Sequence, residues 1–328
     1  MTKDELLIHA YGSGLLMKWH WFRFHFEQHL RGRSHPFSES ILRACLDCEP
    51  HIPGFAGGMI NALGEISGKE KDLQHYEQLL QRLAELLVIR QVVTYPWQGQ
   101  VRFRWEPTAA DSKKNPELVV EGGEFPIGVE VKAPGLLEHR EWRATNPTQL
   151  LSRVMSKEAI AELPDADKGI TYPRDNPVKD FLISAEAKFA PFHRENPKFR
   201  GVLVIVWDDH INEPLTALIH PHSGLLTSKS FFKEPDGQPK KFPSMNAVIL
   251  VRHLDQFMLA AGDEELVDDC RDALEYGRDG DFPPKMIIGN PFAERVPMEV
   301  VECFQAYTPS PEMGAEAIPG DLTWWMRV

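Results

Sequence analysis

The sequence contains little of what marks secreted, membrane or fibrous proteins. Its 328 residues include only four cysteines, too few for a disulfide framework in a chain of this length. The N-terminus has no basic start followed by an apolar run, as a signal peptide would. The longest apolar runs, such as 201–207, fall far short of the roughly 18 residues that span a bilayer. We therefore expect a globular cytoplasmic protein that does not enter a membrane.

Signatures of nucleotide and zinc binding are also missing. The Gly-Ser-Gly element at 12–14 has no preceding strand and no third glycine, and the chain has no Walker A loop. Cys45 and Cys48 form a CxxC pair with His51 nearby, but no second pair follows at zinc-ribbon spacing. Buried free thiols are the simpler interpretation of this pair, and a zinc site is the alternative.

The charge balance is uneven along the chain. The formal net charge of −12 argues against nucleic acid as a partner, because phosphate binding needs basic side chains. However, residues from Asp255 onward carry 16 acidic and five basic side chains, whereas residues 1–254 carry 32 acidic and 31 basic ones. The body of the chain is therefore nearly neutral. We expect the acidic C-terminal region, from Asp255 onward, to face a protein partner or to screen non-specific nucleic acid.

Hydrophobic periodicity divides the chain into three segments. We expect a helical N-terminal region at 1–70, an α/β core at 71–210 with a polar insertion at about 135–176, and an acidic α+β extension at 211–328 packed on that core. Leucines from Leu73 to Leu87 recur at three- and four-residue spacing, which predicts a strong amphipathic helix. The uninterrupted apolar run at 201–207 predicts a strand buried on both faces.

The remaining elements follow from capping, alternation and composition. Asn176 and Pro177 are a typical cap and first residue of a helix. The glycine-rich stretch 54–68 is expected to interrupt the N-terminal helices. The predicted helices are 38–48, 71–89, 148–157, 177–189 and 264–276. The predicted strands are 92–97, 101–105, 117–121, 127–133, 201–207, 215–220, 247–252 and 286–288.

The most informative segment is a predicted hairpin at 117–132. Two strand-like runs flank the Gly122-Gly123 turn. If the turn is centred between residues 123 and 124, Glu117 and Glu130 face each other across the ladder. The two-residue side-chain period then places Glu117, Glu130 and Lys132 on one face. The other face is apolar and is formed by Leu118, Val120, Ile127, Val129 and Val131.

Two carboxylates and a lysine on one face of a hairpin suit metal-assisted hydrolysis. Opposed carboxylates hold a divalent cation with oxygen ligands. A neighbouring ammonium group orients or stabilises an attacking hydroxide. This is the equipment for hydrolysis of a phosphodiester. The plainer alternative is a solvated surface ion pair, because Glu-X-Lys triplets are common on exposed strands.

Pro116-Glu117, followed by Glu130-Val131-Lys132, resembles the signature of the PD-(D/E)XK nuclease superfamily. The core of that superfamily is helix, three strands, helix, strand, an order predicted here for about 71–208, but not for 1–70 or beyond about 210. Glu117 replaces the commoner Asp, which the superfamily accepts. The resemblance implies a restriction-endonuclease-like fold, a mixed sheet core flanked by helices. It also implies that Glu117, Glu130 and the backbone carbonyl of Val131 bind the metal and that Lys132 is the catalytic lysine.

Members of that superfamily often carry a further glutamate on the first helix. Glu77 flanks the leucine stripe, whereas Glu85 falls opposite it, so Glu77 is the preferred candidate. Both glutamates being plain solvated charges is the alternative. Gln149 and Lys179, on predicted helices after the motif, are candidates for auxiliary polar groups, with ordinary surface positions as the alternative.

Basic residues near the motif are candidates for phosphate contact. Arg140, Arg143 and Arg153 lie in the insertion just after Lys132, near the expected mouth of the site. A loop solvated by its own charges is the alternative. The segment 18–33 interleaves aromatic and cationic residues, as a nucleic-acid surface would, but packed core aromatics fit the same pattern.

Together these features predict a hydrolase. We expect a nuclease that depends on Mg²⁺ or Mn²⁺ and acts on nucleic acid, in the first place DNA. An endonuclease or an exonuclease would both fit these residues, and a homodimer is left open. The alternative is a non-catalytic module on the same fold that binds nucleic acid or protein.

Overall fold

The computed structural model describes residues 1–66, 72–110, 112–150, 157–208, 210, 212–278 and 285–309. Within these residues the strands are β1 (Arg102–Trp105), β2 (Leu118–Glu121), β3 (Ile127–Lys132), β4 (Thr148–Gln149), β5 (Ile170–Thr171), β6 (Arg200–Trp207), β7 (Met245–Arg252) and β8 (Met286–Gly289). The helices are α1 (Lys3–Gly12), α2 (Gly14–Met17), α3 (Arg23–Leu30), α4 (Pro36–Cys48), α5 (Phe55–Glu65), α6 (Leu73–Thr94), α7 (Leu137–Thr145), α8 (Lys157–Ala161), α9 (Asp175–Glu195), α10 (Asn212–Ile219), α11 (Leu254–Ala261) and α12 (Met298–Cys303), with a 3₁₀ turn at Ala166–Lys168.

A mixed sheet of six strands, in the order β1-β2-β3-β6-β7-β8, organises the molecule. The first three strands form an antiparallel meander, β6 and β7 lie parallel to β3, and β8 closes the sheet antiparallel to β7. A separate pair, β4 and β5, lies outside this sheet. The prediction of an α/β fold with a mixed sheet flanked by helices is confirmed at this level.

The sheet is buried on both faces. On one face, Val202, Val204 and Val206 of β6 pack with α6 and the N-terminal helices. On the other face, Leu203 and Ile205 pack with α9. All eight residues of β6 are buried, as its continuous apolar run predicted. Each such aliphatic side chain contributes about 1.5–3 kcal/mol when fully buried, which fixes the sheet firmly between its two helical layers.

The segment expected to be a C-terminal extension is built into the same sheet. β7 and β8, from residues beyond 210, continue it past β6. Leu274, Val300 and Phe304 join the hydrophobic cluster that also contains Leu6 of α1. Among the described residues no helix is long and apolar enough to cross a membrane.

Several predicted elements are wrong, and local physics explains each case. The first half of the predicted strand 92–97 is instead the end of α6, which ends at Thr94. Val92 and Val93 are buried in the same core, and Pro96 prevents further helix. The predicted strand 215–220 is α10, whose Pro214 lies in the first turn, a position that tolerates proline. The predicted helix 264–276 consists of turns and bends, with positive φ angles at Asp263, Asp268 and Asp269.

The insertion also differs from its prediction. Thr148 and Gln149, expected in a helix, form strand β4, and residues 151–156 lie outside the described residues. α9 begins at Asp175, so Asn176 is its second residue and does not cap it. Pro177 still lies in the first turn, where its missing N–H has no cost.

Most of the glycine-rich stretch 54–68 does not interrupt the helices, because residues 55–65 form helix α5, and residues 67 and 68 lie outside the described residues. Its glycines permit close packing. A Cβ atom on Gly14 would lie 1.9 Å from the carbonyl oxygen of Gly64. Because Gly14 has no side chain, α2 and α5 can approach backbone to backbone at Gly64.

Candidate active site

The hairpin brings Glu117 and Glu130 together. β2 and β3 pair Leu118 with Val129 and Val120 with Ile127, the predicted register. One position further along, this register sets Glu117 opposite Glu130. The predicted apolar face is also confirmed, since all five of its residues belong to one core cluster. The carboxylate face is not the exposed strand face of the alternative, a solvated ion pair. Glu117 and Glu130 are both buried, because α9 covers that side of the sheet.

Two lysines neutralise these carboxylates. Lys132 Nζ lies 2.8 Å from Glu130 Oε1. Lys188 of α9 lies 2.7 Å from the same oxygen, 2.8 Å from Glu130 Oε2 and 3.3 Å from Glu117 Oε1. The two lysine side chains retain 21% and 19% of their solvent exposure, whereas Glu130 has none. The cluster therefore meets solvent on its lysine side.

A third carboxylate, Glu85 of α6, lies within electrostatic range of this pair. Glu85 is buried, and its charge raises the pKa of Glu117. Its oxygens are held by Gln81 Nε2 at 3.1 Å and by Arg82 Nη1 at 2.6 Å. We call Glu85, Glu117, Glu130, Lys132 and Lys188 the carboxylate–lysine cluster.

Glu77, the glutamate preferred from the sequence, has a different partner. Its Oε1 accepts hydrogen bonds from the backbone N–H groups of Leu136 and Leu137, at 2.9 and 3.0 Å, at the start of α7. The expectation that Glu85 lies opposite the buried side of the helix is wrong, because Glu85 is buried. The helical-wheel argument assumed one buried stripe, but α6 packs against β3 on one side and against α4, α5 and α11 elsewhere.

Three residues of α6 one turn apart line up along the site. Glu77 binds the start of α7, Gln81 binds the end of β3, and Glu85 joins the carboxylates. Gln81 makes two contacts with the strand, donating to the Val131 carbonyl at 3.1 Å and accepting from the Ala133 N–H at 2.6 Å. The Val131 carbonyl, predicted as a metal ligand, is thus hydrogen-bonded to α6.

Crowding of the carboxylates changes their acidity. Burial, together with the charges of Glu85 and Glu130, raises the pKa of Glu117 to about 8, although Lys188 and Lys132 act in the opposite direction. Burial also raises the pKa of Glu85 against the effect of Arg82. For Lys188, burial opposes the charged form, but the charges of Glu130 and Glu117 outweigh it and raise the pKa. The buried carboxylates therefore favour positively charged groups or ions beside them.

A ready-made metal centre is not seen. Within the described part of the chain, no group of three or more His, Cys, Asp or Glu side chains is arranged to hold a metal ion. At the cluster, ammonium groups lie against the carboxylate oxygens instead. Cys45 and Cys48 are free thiols buried in the core, and burial raises the pKa of both.

The arginines predicted to contact phosphate are paired with acids. Arg140 Nη1 lies 3.1 Å from Asp255. Arg143 Nη2 lies 2.6 Å from Glu213, and its side chain is largely buried. Arg153 lies outside the described residues. The two described arginines are therefore already neutralised by carboxylates.

A second charged group, which the sequence did not reveal, lies at the carboxyl end of β6. Arg174 Nη2 is 2.7 Å from both Asp208 and Glu213, and His139 Nε2 is 3.4 Å from Glu213. Burial opposes ionisation of Glu213, but the hydrogen bond from His139 and the charges of Arg174 and Arg143 outweigh it and lower the pKa to about 2. We call His139, Arg143, Arg174, Asp208 and Glu213 the buried ion network.

Other candidates take structural positions. Gln149 of β4 donates to the Arg143 carbonyl at 2.9 Å, and Lys179 of α9 pairs with Asp180 at 3.3 Å. In the aromatic and cationic segment 18–33, Phe22 and Phe26 are buried in the core. Trp19 and Phe24 remain exposed at 41% and 60%.

Weak signals in the sequence point to the missed residues. Lys188 lies beside the buried apolar stripe of α9, which is formed by Val178, Leu182, Ala185 and Phe189. A lysine in such a position usually needs an acidic partner, so its position points to a nearby carboxylate. Asp208 directly follows a buried strand, at the sheet edge where β3 ends in Lys132. Partners from distant segments could not be assigned from spacing.

No family model, no curated protein and no solved structure matches this chain.

Proposed function

We propose that the protein is a metal-dependent nuclease that hydrolyses phosphodiester bonds, in the first place in DNA, on a restriction-endonuclease-like fold. The chain order α6, β1, β2, β3, α9, β6 supports this fold, since it is the helix, three strands, helix, strand order of the PD-(D/E)XK core, with α7, α8 and the small β4–β5 pair inserted before α9.

The observation that carries the proposal is the gathering of Glu117, Glu130 and Lys132 on one side of one hairpin. Nothing in folding requires two carboxylates to face each other in a buried site, and their mutual repulsion is unfavourable. Such a site is more easily explained by a ligand of high positive charge than by packing. Burial, together with the charges of Glu85 and Glu130, raises the pKa of Glu117.

The residues present fit a divalent cation. Glu117 and Glu130 supply hard oxygen donors, the type that Mg²⁺ and Mn²⁺ prefer. Glu130 Oε1 is buried and accepts no hydrogen bond of good geometry from the described residues, although two ammonium groups lie within 2.8 Å. Glu117 and Glu130 would hold the cation, with Glu85 beside them.

When bound, such a cation polarises the scissile phosphate and lowers the pKa of a coordinated water. Lys132, at the solvent side of the cluster, orients that water or stabilises charge developing on the phosphate. Lys188 neutralises Glu117 and Glu130 in this structure, and a bound cation would take over part of that role. Gln81 holds the end of β3 and so fixes the position of Lys132.

A cleavage assay tests the proposal. Purified protein is incubated with supercoiled plasmid and with single-stranded oligonucleotides in the presence of Mg²⁺ or Mn²⁺. We expect cleavage by the wild type, and a loss of at least about 100-fold in Lys132→Ala and Glu130→Ala, because each removes a group acting on the reacting phosphate or its metal.

Matched controls come from the same hairpin region. Glu124→Gln removes an exposed carboxylate at the turn, and Lys114→Ala removes an exposed lysine just before β2. Both controls should cleave like the wild type. Equal behaviour of wild type, Lys132→Ala and Glu130→Ala on every substrate would remove the enzymatic assignment.

A second candidate is a non-catalytic binding module on the same fold. The ion pairs that Lys132 and Lys188 make with Glu130 favour it, since they balance the buried charge without a metal. This candidate predicts that Mn²⁺ does not bind to the wild type at millimolar concentration in isothermal titration calorimetry. Binding that Glu130→Ala abolishes would favour the nuclease.

A further inference from the structure

A cavity of about 640 Å³ lies between α7, β5 and the start of α9. Its lining includes Glu77, Gly135, His139, Trp142, Tyr172 and Arg174. Its volume is within the range, roughly 300–1,000 Å³, of cavities that hold small organic ligands. We call it the α7–β5 cavity.

This cavity adjoins the carboxylate–lysine cluster. Gly135, at its edge, is three residues beyond Lys132. Glu77 borders the cavity and Glu85 belongs to the cluster, and the two are eight residues apart on one side of α6. At 1.5 Å per residue, they are separated by about 12 Å along the helix axis. A chain of a few nucleotides would therefore reach from one site to the other.

Two aromatic side chains line the cavity and are exposed to solvent. Trp142 of α7 is 48% exposed, and Tyr172, next to β5, is 56% exposed. Large aromatic rings left in solvent around a cavity are typical of a surface that a ligand covers. Flat rings of this kind stack on nucleobases regardless of sequence.

The polar part of the lining is better suited to a base than to a phosphate. Arg174 is buried and bound by Asp208 and Glu213, so its charge is already balanced. Glu77 and the exposed Glu138 also line the cavity and would repel a phosphate. Carboxylate and amide groups, such as those of Glu138 and Asn146, instead accept from and donate to the edges of a base.

We propose that the α7–β5 cavity binds an unpaired nucleobase and stacks it against Trp142 and Tyr172. This inference rests on the proposed function, since the base belongs to the strand whose phosphodiester lies at the carboxylate–lysine cluster. It names the substrate class as single-stranded or locally unpaired nucleic acid. A base within an intact duplex would first have to leave its stack, which costs free energy.

The test measures binding separately from cleavage. In the Lys132→Ala background with Mg²⁺, fluorescence anisotropy gives the affinity for a labelled single-stranded DNA, for the same DNA as a duplex, and for a single-stranded RNA. We expect the single strand to bind more tightly than the duplex. Trp142→Ala and Tyr172→Ala should each weaken single-strand binding about tenfold, and duplex binding by less than about twofold.

Conservative and distant variants complete the design. Trp142→Phe should retain most of the affinity, because phenylalanine still stacks. Phe24→Ala removes an equally exposed aromatic ring on α3 and should change nothing. Circular dichroism and thermal unfolding of each variant show whether the fold is intact. RNA that binds with the same dependence on Trp142 supports the inference, because stacking is common to both nucleic acids.

The inference and the proposed function fail in different ways. If the wild type cleaves DNA but Trp142→Ala and Tyr172→Ala bind single strands as tightly as their parent, the nuclease stands and the base-binding cavity is excluded. The same exclusion follows if the protein binds no single strand, or if both variants lose duplex binding equally. If single-strand binding depends on Trp142 but no substrate is cleaved, the cavity stands without the nuclease.

Discussion

At the scale of single residues, Glu117 carries the strongest electrostatic signature of the site. Burial and the charges of Glu85 and Glu130 raise its pKa from the ordinary 4.5 to about 8. Between these two pH values the folded protein holds a proton on Glu117 that the unfolded chain has lost. A state that binds more protons loses stability as pH rises.

We therefore expect the contribution of Glu117 to the free energy of unfolding, without divalent metal, to fall as pH rises from about 4.5 to about 8. Buried histidines such as His20 and His253, whose pKa burial lowers to about 4, contribute in the opposite direction and are the same in both proteins compared below. Glu117→Gln should lack this part of the decrease, because glutamine does not ionise. Urea unfolding at several pH values in this window measures both proteins, with Glu124→Gln as the exposed control. If Glu117→Gln and the wild type have the same pH dependence, Glu117 does not titrate as its environment indicates.

Lys188 shows why the sequence located only part of the site. Glu117, Glu130 and Lys132 belong to one hairpin, whose turn and two-residue period fix their relation without reference to the rest of the chain. Lys188 and Glu85 come from α9 and α6, and only the packing of these helices on opposite faces of the sheet brings them to the hairpin. Local periodicity contains no such information.

At the scale of elements, prediction succeeded where one pattern dominated. The strands β1, β2, β3, β6, β7 and β8 were located within a residue or two, since alternation or continuous apolar runs identify them. It failed where short apolar runs fit either structure, as in α10 and the end of α6. It failed again in α5, where glycine was taken as a break although it serves helix packing.

The contact between α2 and α5 gives a test of this last point. Gly14→Ala would place a Cβ atom 1.9 Å from the Gly64 carbonyl oxygen, which forces the two helices apart. We expect a loss of about 1–3 kcal/mol in the free energy of unfolding, as for other overpacked sites. Gly12→Ala is the matched control, because nothing lies within 4 Å of its added Cβ. Equal stability of the two variants in urea unfolding would show that α2 and α5 are not packed this closely.

At the scale of the whole molecule, the acidic C-terminal region contributes residues to the hydrophobic core as well as to the surface. Leu274, Val300 and Phe304 are core residues, and β8 completes the sheet. Removing everything after Gly262 would therefore expose the core, so truncation does not test whether this region screens nucleic acid. Substitution of its exposed carboxylates removes charge and leaves the packing intact.

Three such carboxylates, Glu264, Glu265 and Asp269, are exposed just after α11. If they screen the molecule against non-specific nucleic acid, the triple variant Glu264→Gln, Glu265→Gln, Asp269→Asn should bind random duplex DNA several-fold more tightly at about 50 mM salt. The gain should fade toward about 200 mM, because the Debye length shortens.

The comparison variant removes the same number of exposed carboxylates elsewhere, at Glu124, Glu162 and Asp236. If anisotropy titrations give both triple variants the affinity of the wild type, screening is excluded. If both variants gain affinity equally, the effect comes from the net charge of the protein and not from this surface. A gain confined to the first variant would assign the screen to this surface and show that part of the net charge of −12 acts locally against non-specific nucleic acid.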